Sequence, residues 1–254
     1  MIVEVPGLSG FCPGVKTAEK KVFNELKLHP ETNIYILGMM INNRNYIEYL
    51  RGNGIRTVDS TEGIPQNSTI AIRTHGIKRS TEKKLYDNYK IVDLTCMNVK
   101  KVQQIIENKS QAGAFVIITG KKSHPEVIGL ESYTYNSIVF ETEEDIEDFI
   151  FSPSLNGETL KVLPAEFFIT SQTTGSQELF DYTFRRVSEK WPEIKLSRFN
   201  SICPVTDRKE KEALTLQERV DISFVIGDRL SSNANKLYIT LKERNTKTYF
   251  IQDL

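Results

Sequence analysis

A short apolar run, a turn rich in Gly, Ser, Thr or Asn, and then an amphipathic helix recur along this chain. That alternation limits the folds open to it. The runs at 33–37, 69–73, 115–119, 166–170 and 222–226 each end in such a turn. The turns are Gly38, Thr74-His75-Gly76, Gly120, Ser171-Gln172-Thr173-Thr174, and Gly227 with Ser231-Ser232-Asn233. β-Branched strands alternating with helical patterns predict parallel sheets in α/β layers. The helical segments carry matching apolar stripes: Val15, Ala18, Val22 and Leu26; Val99, Val102 and Ile106; Phe180, Phe184 and Val187. Residues at that spacing share one helix face and are expected in the core.

A length of 254 residues suits one large domain or two to three small ones. Lys+Arg and Asp+Glu number 33 each, so the chain has no net charge. A nucleic-acid partner is not expected without a basic face, and an anionic substrate has to be held by local donors. The start, Met-Ile-Val-Glu-Val-Pro, has neither the basic opening nor the apolar run of a secretory signal. No apolar stretch approaches the roughly 20 residues of a membrane span. Three cysteines, an odd number, do not make a disulfide framework. The expectation is a reducing cytoplasm, with no membrane contact. The acidic run 141–148 reads as a solvated helix face, and 151–158, with Pro153, Asn156 and Gly157, is the most linker-like stretch.

The cysteines stand in similar surroundings: Phe-Cys12-Pro, Thr-Cys96-Met and Ile-Cys203-Pro, each just ahead of a helix of similar length. This weak repeat suggests three similar α/β units, 13–96, 97–201, and 202–254 together with 1–12, each giving one cysteine to a common centre. None lies in a Cys-x-x-Cys pair, which argues against a zinc ribbon or a thioredoxin-type motif. Three unrelated buried thiols would also satisfy the spacing. At a helix mouth, however, backbone N–H groups stabilise thiolate, the form that binds iron. Three thiolates on a four-iron cluster leave one iron without a protein ligand. Such an iron can polarise a substrate oxygen and pass it electrons.

Of the three histidines, His29 precedes Pro30 at a helix end and reads as a surface residue. His75 follows a strand, and His124 precedes Pro125, the first residue of a helix. Carboxyl ends of parallel strands are where α/β folds bind ligands. Each of these two is either a capping or core residue, or an imidazole suited to phosphate. Glu126 is either an acid favoured by a helix dipole or a proton donor. The hydroxyls at 171–174 and 231–233 are either N-caps or part of an anion site.

Together these segments resemble the LytB-type, or 4-hydroxy-3-methylbut-2-enyl diphosphate reductase, family over nearly the whole chain. The motifs are Gly10-Phe11-Cys12-Pro13-Gly14-Val15, Thr74-His75-Gly76, Asp93-Leu94-Thr95-Cys96, Gly120 with His124-Pro125-Glu126-Val127, Gln172-Thr173-Thr174, Ile202-Cys203 with Thr206 and Arg208, and Ser231-Ser232-Asn233. The resemblance implies an α/β trefoil of three similar units around a [4Fe–4S] cluster held by Cys12, Cys96 and Cys203. It implies a small phosphorylated substrate whose hydroxyl leaves as water, with electrons from ferredoxin or flavodoxin. Glu126 matches the family's proton-relay acid, and Thr173 the residue that orients the substrate oxygen. His75, His124, Ser231, Ser232 and Asn233 fall in the diphosphate-binding motifs.

Two departures stand out. Gly38-Met39-Met40-Ile41-Asn42-Asn43 puts Asn42 where the family has a diphosphate-binding histidine, leaving a hydrogen-bond donor without a charge. The sequence also ends at Leu254, soon after 248–251, without the family's Thr-Ala-Gly-Ala-Ser segment. Lesser changes are Met97 in place of proline and Lys209 in place of glutamine. The expectation is intact cluster chemistry with a reduced anion site, at roughly 1.5–3 kcal/mol per lost charge-assisted bond. Two rivals stay open: a paralogue reducing another small substrate, and a non-catalytic iron–sulfur redox or sensor protein.

Overall fold

The computed structural model describes residues 2–155, 157–160 and 162–252. The chain divides into two compact units: Met1–Thr74, Leu85–Cys96 and Cys203–Leu254 form one, His75–Lys84 and Met97–Ile202 the other.

The first unit opens with α1 (Pro13–Leu28), β1 (Ile34–Leu37), α2 (Arg44–Gly52), β2 (Ile55–Val58) and β3 (Thr69–Ile72); α3 (Arg79–Asn88), counted up to Lys84 with the second unit, then leads to β4 (Lys90–Asp93). The strands form one parallel sheet in the order β2-β1-β3-β4. Winding runs outward from β1 to β2, then reverses to β3, so a switch point lies between β1 and β3. Both central strands are apolar and buried: Ile34, Ile36, Ile70, Ala71 and Ile72. Ala18 and Val22 of α1 and Tyr46 and Leu50 of α2 pack into the same core. Each large side chain buried there contributes about 1.5–3 kcal/mol relative to exposure. Local chemistry sets the helix starts. Pro13 occupies the first turn of α1, where its missing N–H costs nothing. The Asn43 side chain accepts the Tyr46 N–H at 2.9 Å to cap α2.

The second unit carries α4 (Met97–Gln111), β5 (Phe115–Thr119), α5 (Pro125–Glu131), β6 (Ser137–Phe140), α6 (Glu143–Phe151), the short strands β7 (Ser154–Leu155) and β8 (Glu158–Thr159), β9 (Glu166–Ser171), α7 (Gln177–Lys190) and β10 (Lys195–Phe199). Its parallel sheet runs β10-β9-β5-β6. That is the winding of the first sheet again, with the switch point between β5 and β9. Alternate side chains feed two cores. Phe115, Ile117, Phe167 and Ile169 meet Phe149, Phe180 and Trp191 on one face. Val116, Ile118 and Phe168 meet Val102, Ile106, Val127 and Leu130 on the other. A strand buried on both faces reads as an unbroken apolar run, which is how β5 looks in the sequence.

The acidic run 141–148 is the exposed start of α6, capped reciprocally by Thr142 and Asp145. The linker-like stretch is no linker. Ser154 and Leu155 pair antiparallel with Glu158 and Thr159 inside the second unit. Gly157 at φ 82° serves the turn, and Asn156 lies outside the described residues.

The chain returns to the first unit with α8 (Pro204–Gln217), β11 (Ser223–Ile226), α9 (Ser232–Arg244) and β12 (Thr248–Ile251). β11 and β12 are parallel, and Val225 packs with Ala213 of α8 and Leu241 of α9. Phe224 and Ile226, on the opposite face, are exposed. Among the described residues no helix is long and apolar enough to cross a membrane. The chain is a mixed α/β protein of parallel sheets, as its alternation predicts.

Candidate functional site

Cys12, Cys96 and Cys203 are half-buried and make no disulfide with one another, and all three belong to the first unit. Each begins a helix. Cys12 is the N-cap of α1, its sulfur accepting the Val15 N–H at 3.5 Å. Cys96 immediately precedes α4. Cys203 is the N-cap of α8 and makes no side-chain capping bond there. The loops leaving the first sheet are knitted together. The Thr74 hydroxyl donates to the Met40 carbonyl at 2.5 Å, and the Cys96 N–H donates to the Thr74 carbonyl at 3.0 Å. The loop before Cys12 is fixed to the helix that Cys203 opens. Glu212 on α8 accepts the N–H groups of Gly7 and Leu8, both at 2.8 Å, and Lys209 donates to the Gly10 carbonyl.

Gly14 leaves room between two of the sulfurs. A Cβ there would stand 3.1 Å from the Cys96 sulfur and 3.7 Å from that of Cys12. Among the described residues no three His, Cys, Asp or Glu side chains gather as they would around one metal ion. A four-iron cluster makes a different demand, because each thiolate holds its own iron and the ligands are spread across the cluster. Three reduced thiols at helix starts, with the side-chain space between two of them left open, are a donor set that fits such a group.

The predicted anion residues of the first unit sit at strand ends and helix starts. Asn42 lies in the loop from β1 to α2. Ser231 caps α9 by accepting the Ala234 N–H at 3.3 Å, Ser232 opens that helix, and the Thr206 hydroxyl donates to Asn233 at 3.5 Å. Asp228, which has no role in the sequence reading, ties these two loops together. Its buried carboxylate accepts the N–H of Arg44 at 3.0 Å and that of Leu230 at 2.9 Å. Arg73 is a second residue without a role in the sequence reading. Its guanidinium lies against Gly38 at the β1–β3 switch point, where a Cβ would stand only 2.5 Å from it. Gly38 also has φ 74°, the left-handed conformation that favours glycine. Burial pulls the Arg73 guanidinium below its ordinary pKa, while the charge of Asp59 acts in the other direction.

In the second unit the switch point between β5 and β9 holds a buried acid. Glu126 is 1% exposed. One of its oxygens accepts the Thr173 N–H at 2.6 Å, the other the Thr173 hydroxyl at 2.7 Å. Burial pushes the carboxyl up to about 7, against the two bonds from Thr173, which pull it down. An acid half-protonated near neutrality can both give and take a proton. The Gln172 N–H donates to the Thr119 carbonyl at 2.7 Å, and its side-chain amide bonds Lys121 N–H and the Thr174 hydroxyl. Gly120, at φ 153°, leaves the space that Gln172 fills. The hydroxyls at 171–174 are therefore not N-caps. Ser176 caps α7, by accepting the Leu179 N–H at 3.2 Å.

His75 and His124 meet edge to face, ring centres 5.4 Å apart. His124 does cap α5, its Nδ1 accepting the Glu126 N–H at 3.2 Å. That bond puts the proton of the neutral ring on Nε2. His29 ends α1 at the surface, as expected.

Two parallel sheets of one winding, with three cysteines at helix starts in one unit and a buried acid at the switch point of the other, define a mixed α/β protein. The chain belongs to the LytB protein family, whose family model matches residues 3–254. It is similar to the 4-hydroxy-3-methylbut-2-enyl diphosphate reductase of Clostridioides difficile (strain 630), with 32% identity over 93% of this chain and 81% of that protein. The enzyme of the same name from Dictyoglomus turgidum is 37% identical over 96% and 81%. A solved structure of (E)-4-hydroxy-3-methyl-but-2-enyl diphosphate reductase superimposes with a TM-score of 0.73 at 31% identity, covering 98% of this chain and 85% of that one. The structure of the E-1-hydroxy-2-methyl-but-2-enyl-4-diphosphate reductase from Plasmodium falciparum gives 0.81 at 25% identity, over 96% and 74%.

Proposed function

We propose that this chain is a [4Fe–4S]-dependent oxidoreductase that converts 4-hydroxy-3-methylbut-2-enyl diphosphate to isopentenyl and dimethylallyl diphosphate. The observation that carries this reading is the Glu126–Thr173 couple, a buried acid near pKa 7 in a chain of the LytB family. A passive electron carrier needs no such couple. In the reaction the allylic C–O bond breaks, two electrons and two protons enter, and water leaves.

Cys12, Cys96 and Cys203 would hold the cluster as thiolates. When bound, it would supply electrons and Lewis acidity toward the substrate oxygen. Glu126 provides the proton that lets the hydroxyl oxygen leave as water. The Thr173 hydroxyl, itself bound to Glu126, orients the substrate oxygen. His75 and His124 donate to the diphosphate, as do Asn42, Ser231, Ser232 and Asn233. Asn42 brings no charge to that set, so one charge-assisted contact of the family is weakened. Electrons arrive from ferredoxin or flavodoxin, in a cytoplasm that keeps the thiols reduced.

The test is iron and sulfide analysis of protein reconstituted without oxygen, with parallel turnover of the diphosphate. One four-iron cluster per chain is expected, and Cys12→Ser, Cys96→Ser and Cys203→Ser should each lose most of the iron and all turnover. Full iron in all three variants overturns the assignment.

A further inference from the structure

Asp228 stands two residues beyond the end of β11, at the start of the turn that delivers Ser231, Ser232 and Asn233 to the head of α9. It is only 5% exposed, and its carboxylate is committed on both sides. Oδ2 accepts the Arg44 N–H at 3.0 Å and Oδ1 the Leu230 N–H at 2.9 Å. The Asp228 carbonyl accepts the Ser231 N–H at 2.9 Å. The Arg44 guanidinium lies 3.7 Å from Oδ2, but that side chain is 65% exposed and water screens the pair. The joint therefore rests on the two charge-assisted backbone bonds, which are the stronger kind.

Arg44 is the first residue of α2, where the helix has N–H groups without an internal partner. Asn43 caps one of them, at Tyr46. Asp228 takes another from across the unit, 184 residues away in sequence. One buried charge thus binds the loop containing Asn42 to the turn that presents Ser231, Ser232 and Asn233. Because its oxygens point at backbone donors, Asp228 is not arranged to be an anion ligand itself.

We propose that Asp228 is a positioning residue for the diphosphate end of the site: it acts through the Arg44 N–H and the 229–231 turn to hold two ligand-bearing loops in one arrangement. This rests on the reading above that those loops take the diphosphate. Asp228→Asn keeps the shape but turns an amide toward one of the two N–H donors, replacing a hydrogen bond with two opposed donors. Arg44→Pro cuts the same joint from the other end. Proline suits the first position of a helix, and Asn43, at φ −154° and ψ 105°, already has the extended backbone that a following proline requires.

The experiment uses the reconstituted holoenzyme, with inorganic diphosphate as a calorimetric probe and the allylic diphosphate as substrate. Asp228→Asn should raise KM, and the Kd for inorganic diphosphate, about tenfold. Its kcat per cluster should stay within about threefold of wild type, with the cluster absorbance unchanged. Arg44→Pro should raise KM about tenfold above that of Arg44→Ala, which keeps the N–H; this pair decides the matter if Asp228→Asn does not fold. A residue serving stability alone would lower the melting temperature and leave KM per folded enzyme unchanged. Wild-type KM and Kd in both Asp228→Asn and Arg44→Pro overturn the inference alone. No binding of inorganic diphosphate and no turnover by the wild type overturns the reading of the anion site, and this inference with it.

Discussion

Glu126 makes the sharpest prediction, because its protonation and its role depend on the same burial. At an ordinary carboxyl value of 4.5, about 0.3% of the side chain would carry a proton at pH 7. With the value pushed up to about 7, half of it does. Burial thus raises the donor population roughly 150-fold at neutral pH. If Glu126 supplies the proton, kcat/KM under anaerobic conditions should be flat below about pH 6, be halved near pH 7, and fall about tenfold per pH unit above about pH 8. Glu126→Gln should keep the cluster, lose at least about a hundredfold in turnover, and show no such fall. Thr173→Val removes the hydroxyl bond, which pulls the carboxyl down, and should therefore move the midpoint upward. The assay is initial rates against pH with a saturating low-potential reductant, normalised to iron content. Near wild-type turnover in Glu126→Gln, or an alkaline limb that persists in that variant, would refute the reasoning and leave Glu126 as an acid held by a helix start.

The same carboxyl has a second consequence, in stability. Its folded value lies above its ordinary one, so the folded protein binds the extra proton. That contribution is fully present below 4.5 and is lost as pH rises through 7, about 3 kcal/mol in all. Reversible urea unfolding across that window should show the decline in wild type and its absence in Glu126→Gln. Asn42→His restores a charge-assisted donor and should lower KM for the diphosphate about tenfold, roughly 1.4 kcal/mol, in steady-state kinetics; an unchanged or higher KM would indicate a pocket shaped for another group. Gly14→Ala should fold, since alanine favours a helix by about 1 kcal/mol. Its Cβ crowds the sulfurs of Cys96 and Cys12, so less than about half of the wild-type iron is expected after reconstitution.

Legibility in the sequence followed burial. The central strands β1, β3, β5 and β9 are apolar on both faces and stand out as unbroken runs. Within the two four-stranded sheets, the strands missing from the sequence reading, β2, β4, β6 and β10, are the edges. Edge positions tolerate polar residues, and Arg56, Lys90, Asp93, Lys195 and Arg198 break their patterns. The cysteines were legible because each carries its helix start in the adjacent residues. The link between Glu126 and Thr173 was not, because a contact across 47 residues leaves no local trace; only the family motifs placed both residues in the site. Asp228 was invisible for the same reason. In Gly-Asp-Arg-Leu it reads as a surface turn residue, and its partner lies 184 residues away. The stretch at 151–158 misled because Pro153 and Gly157 mark a hairpin turn as readily as a linker.

The most direct test of the central claim is anaerobic turnover of 4-hydroxy-3-methylbut-2-enyl diphosphate by the reconstituted protein, with the products separated and identified. The account predicts that isopentenyl and dimethylallyl diphosphate form together, one molecule of product for every two electrons consumed. An intact four-iron cluster with no detectable product, in wild type and in Asn42→His alike, would contradict it.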